Sequence, residues 1–208
     1  SLADFSENDR IDTSDMPELE RWVLHRLAEL DETVQKGYSA YDFQGVFQTI
    51  FTFATVELSS FYFDVRKDVL YCDGDTPERR SARTVLDILF HRLTAWLAPV
   101  LVFTMEEVWL ERFSDEEGSV HLIDFPETPA SWKDDALAAK WAKVRSARRV
   151  VTAALEIQRT KKVIGASLEA APSVYLKDGN TLGILGSVPF EDICITSAIA
   201  LNLDAAPA

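Results

Sequence analysis

Apolar side chains recur at helical spacing through most of the chain, in long runs over residues 1–113 and in shorter, more broken ones afterwards. Leu19, Trp22, Val23, Leu27, Leu30 and Val34 share one helix face. That helix is expected to begin near Asp15, with Pro17 in its first turn and dipole-favoured Glu18 and Glu20, and to end at Gly37. A second helix over residues 42–71 carries Val46, Phe47, Ile50, Phe53, Ala54, Phe61 and Val65 and is apolar on nearly every side. Such a helix belongs in the middle of a bundle. CDGDTP (72–77) reads as a turn, with Asp75 or Thr76 capping a third helix that runs to Leu97. Pro99 must kink the apolar run behind it, which then continues to Phe113.

Residues 114–134 read as a loop with a short extended piece at 120–123. A fourth long helix covers 135–161. Beyond Gly165 the spacing favours strands at 168–176 and 193–197, a short helix at 182–186 between them, and a frayed end over 204–208. The architecture expected is mainly α: a helical bundle over 1–134, then a long helix leading into a small α+β domain over 135–208.

The chain has 208 residues, 47% of them apolar, which is ample for a packed core. Two cysteines, Cys72 and Cys194, cannot make a disulfide framework and point to a reducing compartment. No apolar run is long enough to span a membrane. The acidic, polar opening SLADFSENDRIDTSD does not read as a signal peptide, and the start on Ser1 suggests a processed or excised piece.

The net charge of −13 argues, on average, against nucleic acid. Its distribution changes that picture. Residues 1–139 hold 12 basic and 28 acidic side chains, a net of −16, and residues 163–208 are at −4. Residues 140–162 hold eight basic side chains (Lys140, Lys143, Arg145, Arg148, Arg149, Arg159, Lys161 and Lys162) against Glu156 alone, a net of +7. Arg145, Arg148, Arg149, Thr152, Glu156 and Arg159 share an arc of roughly 100° on the fourth helix. Ala147, Val150, Val151, Ala154 and Ile157 form the opposite face, expected to dock on a core. Trp141 lies beside the basic arc, where an indole could stack on a base. Two readings of the arc stay open: a solvated face that pairs with the acidic bundle, or a surface for RNA phosphates, which arginine holds bidentately.

Catalytic chemistry is harder to find. Glu106, Glu107 and Glu111 share a helix but lack the histidine of a carboxylate metal site. His25, His91 and His121 are scattered, and Cys72 has no neighbouring base. Neither a nucleophile elbow nor a glycine-rich phosphate loop occurs. The aromatics of the second helix read as core packing. Arg66 and Lys67 sit between Asp64 and Asp68, which allows structural ion pairs as readily as RNA contacts.

Several runs together carry a resemblance. SSFYFDVRKDVLYCD (59–73), ERRSARTVLD (78–87), WLAPVLVFTMEEVW (96–109), SVHLIDFP (119–126) and KKVIGASLEA (161–170) occur in this order and spacing. They resemble the region that follows the catalytic domain in bacterial-type isoleucyl-tRNA synthetases, strongly over residues 1–170 and less beyond. The resemblance implies an anticodon-binding helical bundle and isoleucine tRNA as partner. The remaining domains of a longer cytoplasmic, monomeric enzyme are implied as well. It also implies ATP, magnesium and zinc for that parent, with none held by this segment. The family's His-Ile-Gly-His-type and Lys-Met-Ser-Lys-Ser catalytic motifs are missing here, as are its editing domain and its cysteine-rich zinc module. The chain therefore reads as a binding segment of the ligase with no catalytic site of its own. Arg159, Lys161 and Lys162 match the family's junction motif and are expected to touch tRNA, together with Arg145, Arg148 and Arg149 from the charge pattern and Trp141 as a stacking platform. The competing reading is an acidic scaffold module that recruits a basic protein and binds no RNA.

Overall fold

Helix α1 (Glu18–Ser39) buries all six residues of its apolar stripe, from Leu19 to Val34. It runs two residues past Gly37, so that glycine is not its cap. A Cβ on Gly37 would lie 2.4 Å from Val46 Cγ2, which places it where α1 and α2 (Phe43–Thr52) approach most tightly. The turn between them is made instead by Tyr41, at a φ of 59°, and by Asp42, whose carboxylate accepts from the Gly45 N–H at 2.9 Å. The structure, a computed structural model, describes residues 2, 4–113 and 118–203. It divides into two compact units, residues 1–134 and 135–208.

The expected second helix is continuous from Phe43 to Tyr71, but its middle, Phe53–Tyr62, is wound as π-helix between α2 and α3 (Phe63–Tyr71). Hydroxyls compete for the ladder here: Thr52 and Thr55 donate to the carbonyls of Gln48 and Phe51, and Ser60 donates to Thr55 O at 2.7 Å, five residues back. The widened turns shift the buried positions by one, from Val46, Ile50 and Phe53 to Leu58, Phe61 and Tyr62. The opposite face, with Phe51 and Val56, stays exposed. This helix is therefore not enclosed on every side as its composition suggests.

Arg66, on α3, is buried rather than presented to RNA. Its guanidinium grips the fully buried Glu20 carboxylate through two bonds of 2.6 and 2.7 Å, and Tyr62 Oη donates to the same carboxylate at 3.2 Å. Breaking such a pair leaves one buried charge uncompensated, at a cost of about 3–5 kcal/mol. Thr76 caps α4 (Pro77–Leu97) by accepting from the Arg79 N–H. After a turn containing Pro99, α5 (Val102–Leu110) packs Met105 and Trp109 with Ala98 and Val120 into a small second core.

Of the piece expected to be extended, 120–123, only Ile123 is. Val120–Leu122 form a single 3-10 turn because the Glu106 carboxylate accepts from Ser119 Oγ at 2.8 Å and from the Val120 N–H at 3.0 Å. The chain then runs back along α4 and α1. Arg92 donates to the carbonyls of Pro126 and Glu127 and stacks on Trp132, and His25 Nδ1 accepts from the Asp134 N–H at 2.9 Å.

The second unit opens with α6 (Asp135–Thr160), which packs on α7 (Gly179–Gly186) and α8 (Phe190–Cys194). Strands β1 (Ser173–Tyr175) and β2 (Ala200–Asn202) pair in parallel, Val174 opposite Leu201. The strand expected at 193–197 is absent. Ile193 and Cys194 are buried on α8, and Ile195, at a φ of 57°, closes that helix. Residues 204–208, expected to fray, lie outside the described residues.

Candidate RNA interface

Helix α6 presents its faces differently from the expectation. Its buried stripe is Leu137, Trp141, Val144, Val151 and Leu155, with Arg148 half-buried in the same row. Val150 and Ile157, expected to dock, are 69% and 55% exposed. The core-facing side is thus about a quarter turn away from the face chosen by apolar periodicity. The large side chains explain this. Trp141, Leu137 and Leu155 bury more area than a row of alanines and valines, and the helix rotates to cover them.

This rotation sorts the proposed RNA residues. Trp141 is 2% exposed, so its indole is core and offers no platform to a base; the stacking role is withdrawn. Arg148 lays its stem along the buried row and donates Nε to the Ile193 carbonyl at 2.8 Å, at the end of α8. That bond makes it a strut within the second unit. Arg145 is half-buried and Arg149 is exposed. Arg159 pairs with Glu156 and donates to Ser167 Oγ at 3.0 Å, which ties the helix end to the turn Ser167–Glu169. Nothing in the sequence marks Ser167 as its partner.

Lys161 and Lys162 are both exposed just beyond α6. The helix is closed by paired bonds from the Lys162 N–H to Arg159 O and from the Val163 N–H to Gln158 O, with Lys162 left-handed at a φ of 58°. Glycine is the usual occupant of this position. Lysine charges here face the partial negative end of the helix dipole, which favours them. Of the cations expected to meet RNA, Arg149, Lys161 and Lys162 are thus exposed, Arg159 is exposed but tied to Ser167, and Arg145 is half-buried. Arg145 to Arg159 span about 20 Å of helix.

Cys194 and the three histidines are engaged within the fold. Burial pushes the Cys194 thiol up to about 12, against a lowering by Arg148, so it stays protonated. His25 holds the Asp134 amide, His91 lies 3.6 Å from Asp87, and His121 meets the Val102 carbonyl. Among the described residues no three His, Cys, Asp or Glu side chains converge as a metal site. No helix among them is long and apolar enough to cross a membrane.

Residues 20–175 match the family model described as the anticodon-binding domain of tRNA ligase. The match starts within α1 and ends with β1, so α6 and both terminal lysines lie inside it. The whole chain is 65% identical to a stretch of isoleucine–tRNA ligase from Ruegeria pomeroyi, covering 22% of that relative. Over 94% of the chain it is 55% identical to the enzyme of that name from Agrobacterium fabrum, covering 20% of it. Over 97% it is 47% identical to that of Zymomonas mobilis, covering 22%. The chain spans about a fifth of the length of these relatives. A first unit that is helical throughout its described elements, a cationic helix that follows it in the chain and a family match through both agree: the chain belongs to the anticodon-binding domain family of tRNA ligases.

Proposed function

We propose that this chain is the tRNA-holding segment of an isoleucine–tRNA ligase, which grips the anticodon arm of isoleucine tRNA while the rest of the enzyme performs ATP-dependent aminoacylation. The observation that carries this reading is the exposure of Arg149 on α6 and of Lys161 and Lys162 just beyond it, inside the matched segment. In this reading residues 1–134 are the anticodon-binding bundle and residues 135–208 the basic helix with its junction domain. With Trp141 buried, α6 follows phosphates and leaves base recognition to other surfaces. Phosphate contacts position an RNA without reading its sequence. The −16 of residues 1–139 repels tRNA from wrong docking surfaces and steers it to the cations.

ATP and magnesium belong to the catalytic part of the parent. Zinc does not fit here either, because among the described residues no set of three His, Cys, Asp or Glu side chains converges on Cys72 or Cys194. The parent is read as a cytoplasmic monomer. The test is tRNA binding by the full-length ligase across a salt series. Arg149→Glu and the double change Lys161→Glu, Lys162→Glu are each expected to weaken binding and to flatten the salt dependence, by about one unit of log–log slope per lost phosphate contact. Unchanged affinity and slope in both variants would overturn the reading.

A further inference from the structure

Phe103 and Leu122 are 85% and 83% exposed, the most exposed large apolar side chains among the described residues. They belong to neighbouring elements. The 3-10 turn Val120–Leu122 is held on the first turns of α5 by the Glu106 carboxylate and by His121 Nε2, 3.1 Å from the Val102 carbonyl. This clamp fixes Phe103 and Leu122 at one end of α5, where Val102 is also exposed; Leu110 lies two turns farther along the same side of the helix, beyond Glu107. Nothing about the interior requires this display, since Met105, Trp109 and Val120 already fill the core beneath. The rim is acidic: Glu107, Glu111 and Asp124 are exposed. Arg112, the nearest arginine in sequence, is turned inward to the buried Asp87. A patch of this kind repels a phosphate backbone and suits apolar anchors framed by lysine or arginine.

We infer that this α5 patch is the seat of a basic amphipathic segment of the full-length ligase that lies outside residues 1–208. The occupant comes from the same chain because the chain spans about a fifth of its relatives, leaving most of the polypeptide to supply a cover. The inference rests on the reading of the chain as a segment of that ligase but not on its RNA contacts, and its experiment is run without tRNA.

A photo-cross-linking benzoylphenylalanine is placed in the full-length ligase at position 103, at position 122, and at position 71, where Tyr71 is exposed at the end of α3. Positions 103 and 122 are expected to cross-link within the chain to lysine- or arginine-bearing peptides outside residues 1–208, and position 71 is not. Cross-links confined to residues 1–208, links only to other proteins, or none at all would overturn the proposal. The double change Phe103→Asp, Leu122→Asp should then cost the captured peptide its protection from hydrogen exchange while α1 keeps its own. Glu107→Lys with Glu111→Lys should produce the same loss. Undiminished protection in both variants would equally overturn it.

Discussion

Lys162 is under two opposed demands. Its left-handed backbone, φ 58°, costs a side chain with a Cβ about 1 kcal/mol relative to glycine, yet the position closes α6 and carries an exposed cation. Lys162→Gly is therefore expected to raise stability by about 1 kcal/mol, roughly 2–4 °C in Tm for a chain of this size, while weakening tRNA binding. Thermal unfolding and a binding titration on one protein check both signs, and a fall in Tm would show the lysine side chain to be structural. Trp141 and Arg148 illustrate the reverse case. Both looked like surface chemistry in the sequence, and both proved to lie in the buried row of α6. A helical wheel assigns each residue an angle but does not say which angle faces the core.

Among the elements, α1, α4 and α6 could be read directly. A sustained 3.6-residue periodicity, capped by Thr76 in the case of α4, leaves little choice but helix, even where, as on α6, it does not say which arc is buried. The π segment could not. It arises from hydroxyls that bond to carbonyls four and five residues back, and an apolar composition on every side hides the resulting slip in register. Nor could the helix at 190–194 be read, because a five-residue run of Ile, Cys and polar neighbours suits a strand equally well until its burial is known. Gly37 looked like a terminator and is instead a point of contact between two helices. Gly37→Ala is expected to destabilise by about 1–3 kcal/mol, since a methyl at this site would meet Val46 at 2.4 Å. Urea unfolding gives the difference, and an unchanged midpoint would mean that α1 and α2 can separate without cost.

For the molecule as a whole, Asp87 is the electrostatic centre of the first unit. Burial raises its pKa, but the adjacent His91, the hydrogen bond from Arg112 and the charge of Arg10 outweigh that and hold the carboxyl at about 2. Through it, the segment before α1, the helix α4 and the end of α5 are tied together. The folded pKa lies below the usual 3.8, so the stabilisation is fully present above about pH 4 and is lost as pH falls toward 2. It amounts to about 2 kcal/mol. Asp87→Asn should lower stability at pH 7 and flatten its decline between pH 4 and 2, read from urea unfolding at each pH. An equally steep decline would place the acid sensitivity elsewhere.

Helical content, the Thr76 cap of α4, the concentration of positive charge on α6 and the family resemblance all followed from residue order, because periodicity, turn chemistry and formal charge are local properties. The rotation of α6 was settled by tertiary structure, and with it the division of its cations into Arg148 as strut, Arg159 as tie, and Arg149, Lys161 and Lys162 as exposed surface. Two arcs of that helix were apolar enough to be buried. The choice between them depended on the area of Trp141, Leu137 and Leu155, and on a carbonyl at Ile193, 45 residues after Arg148 in the chain.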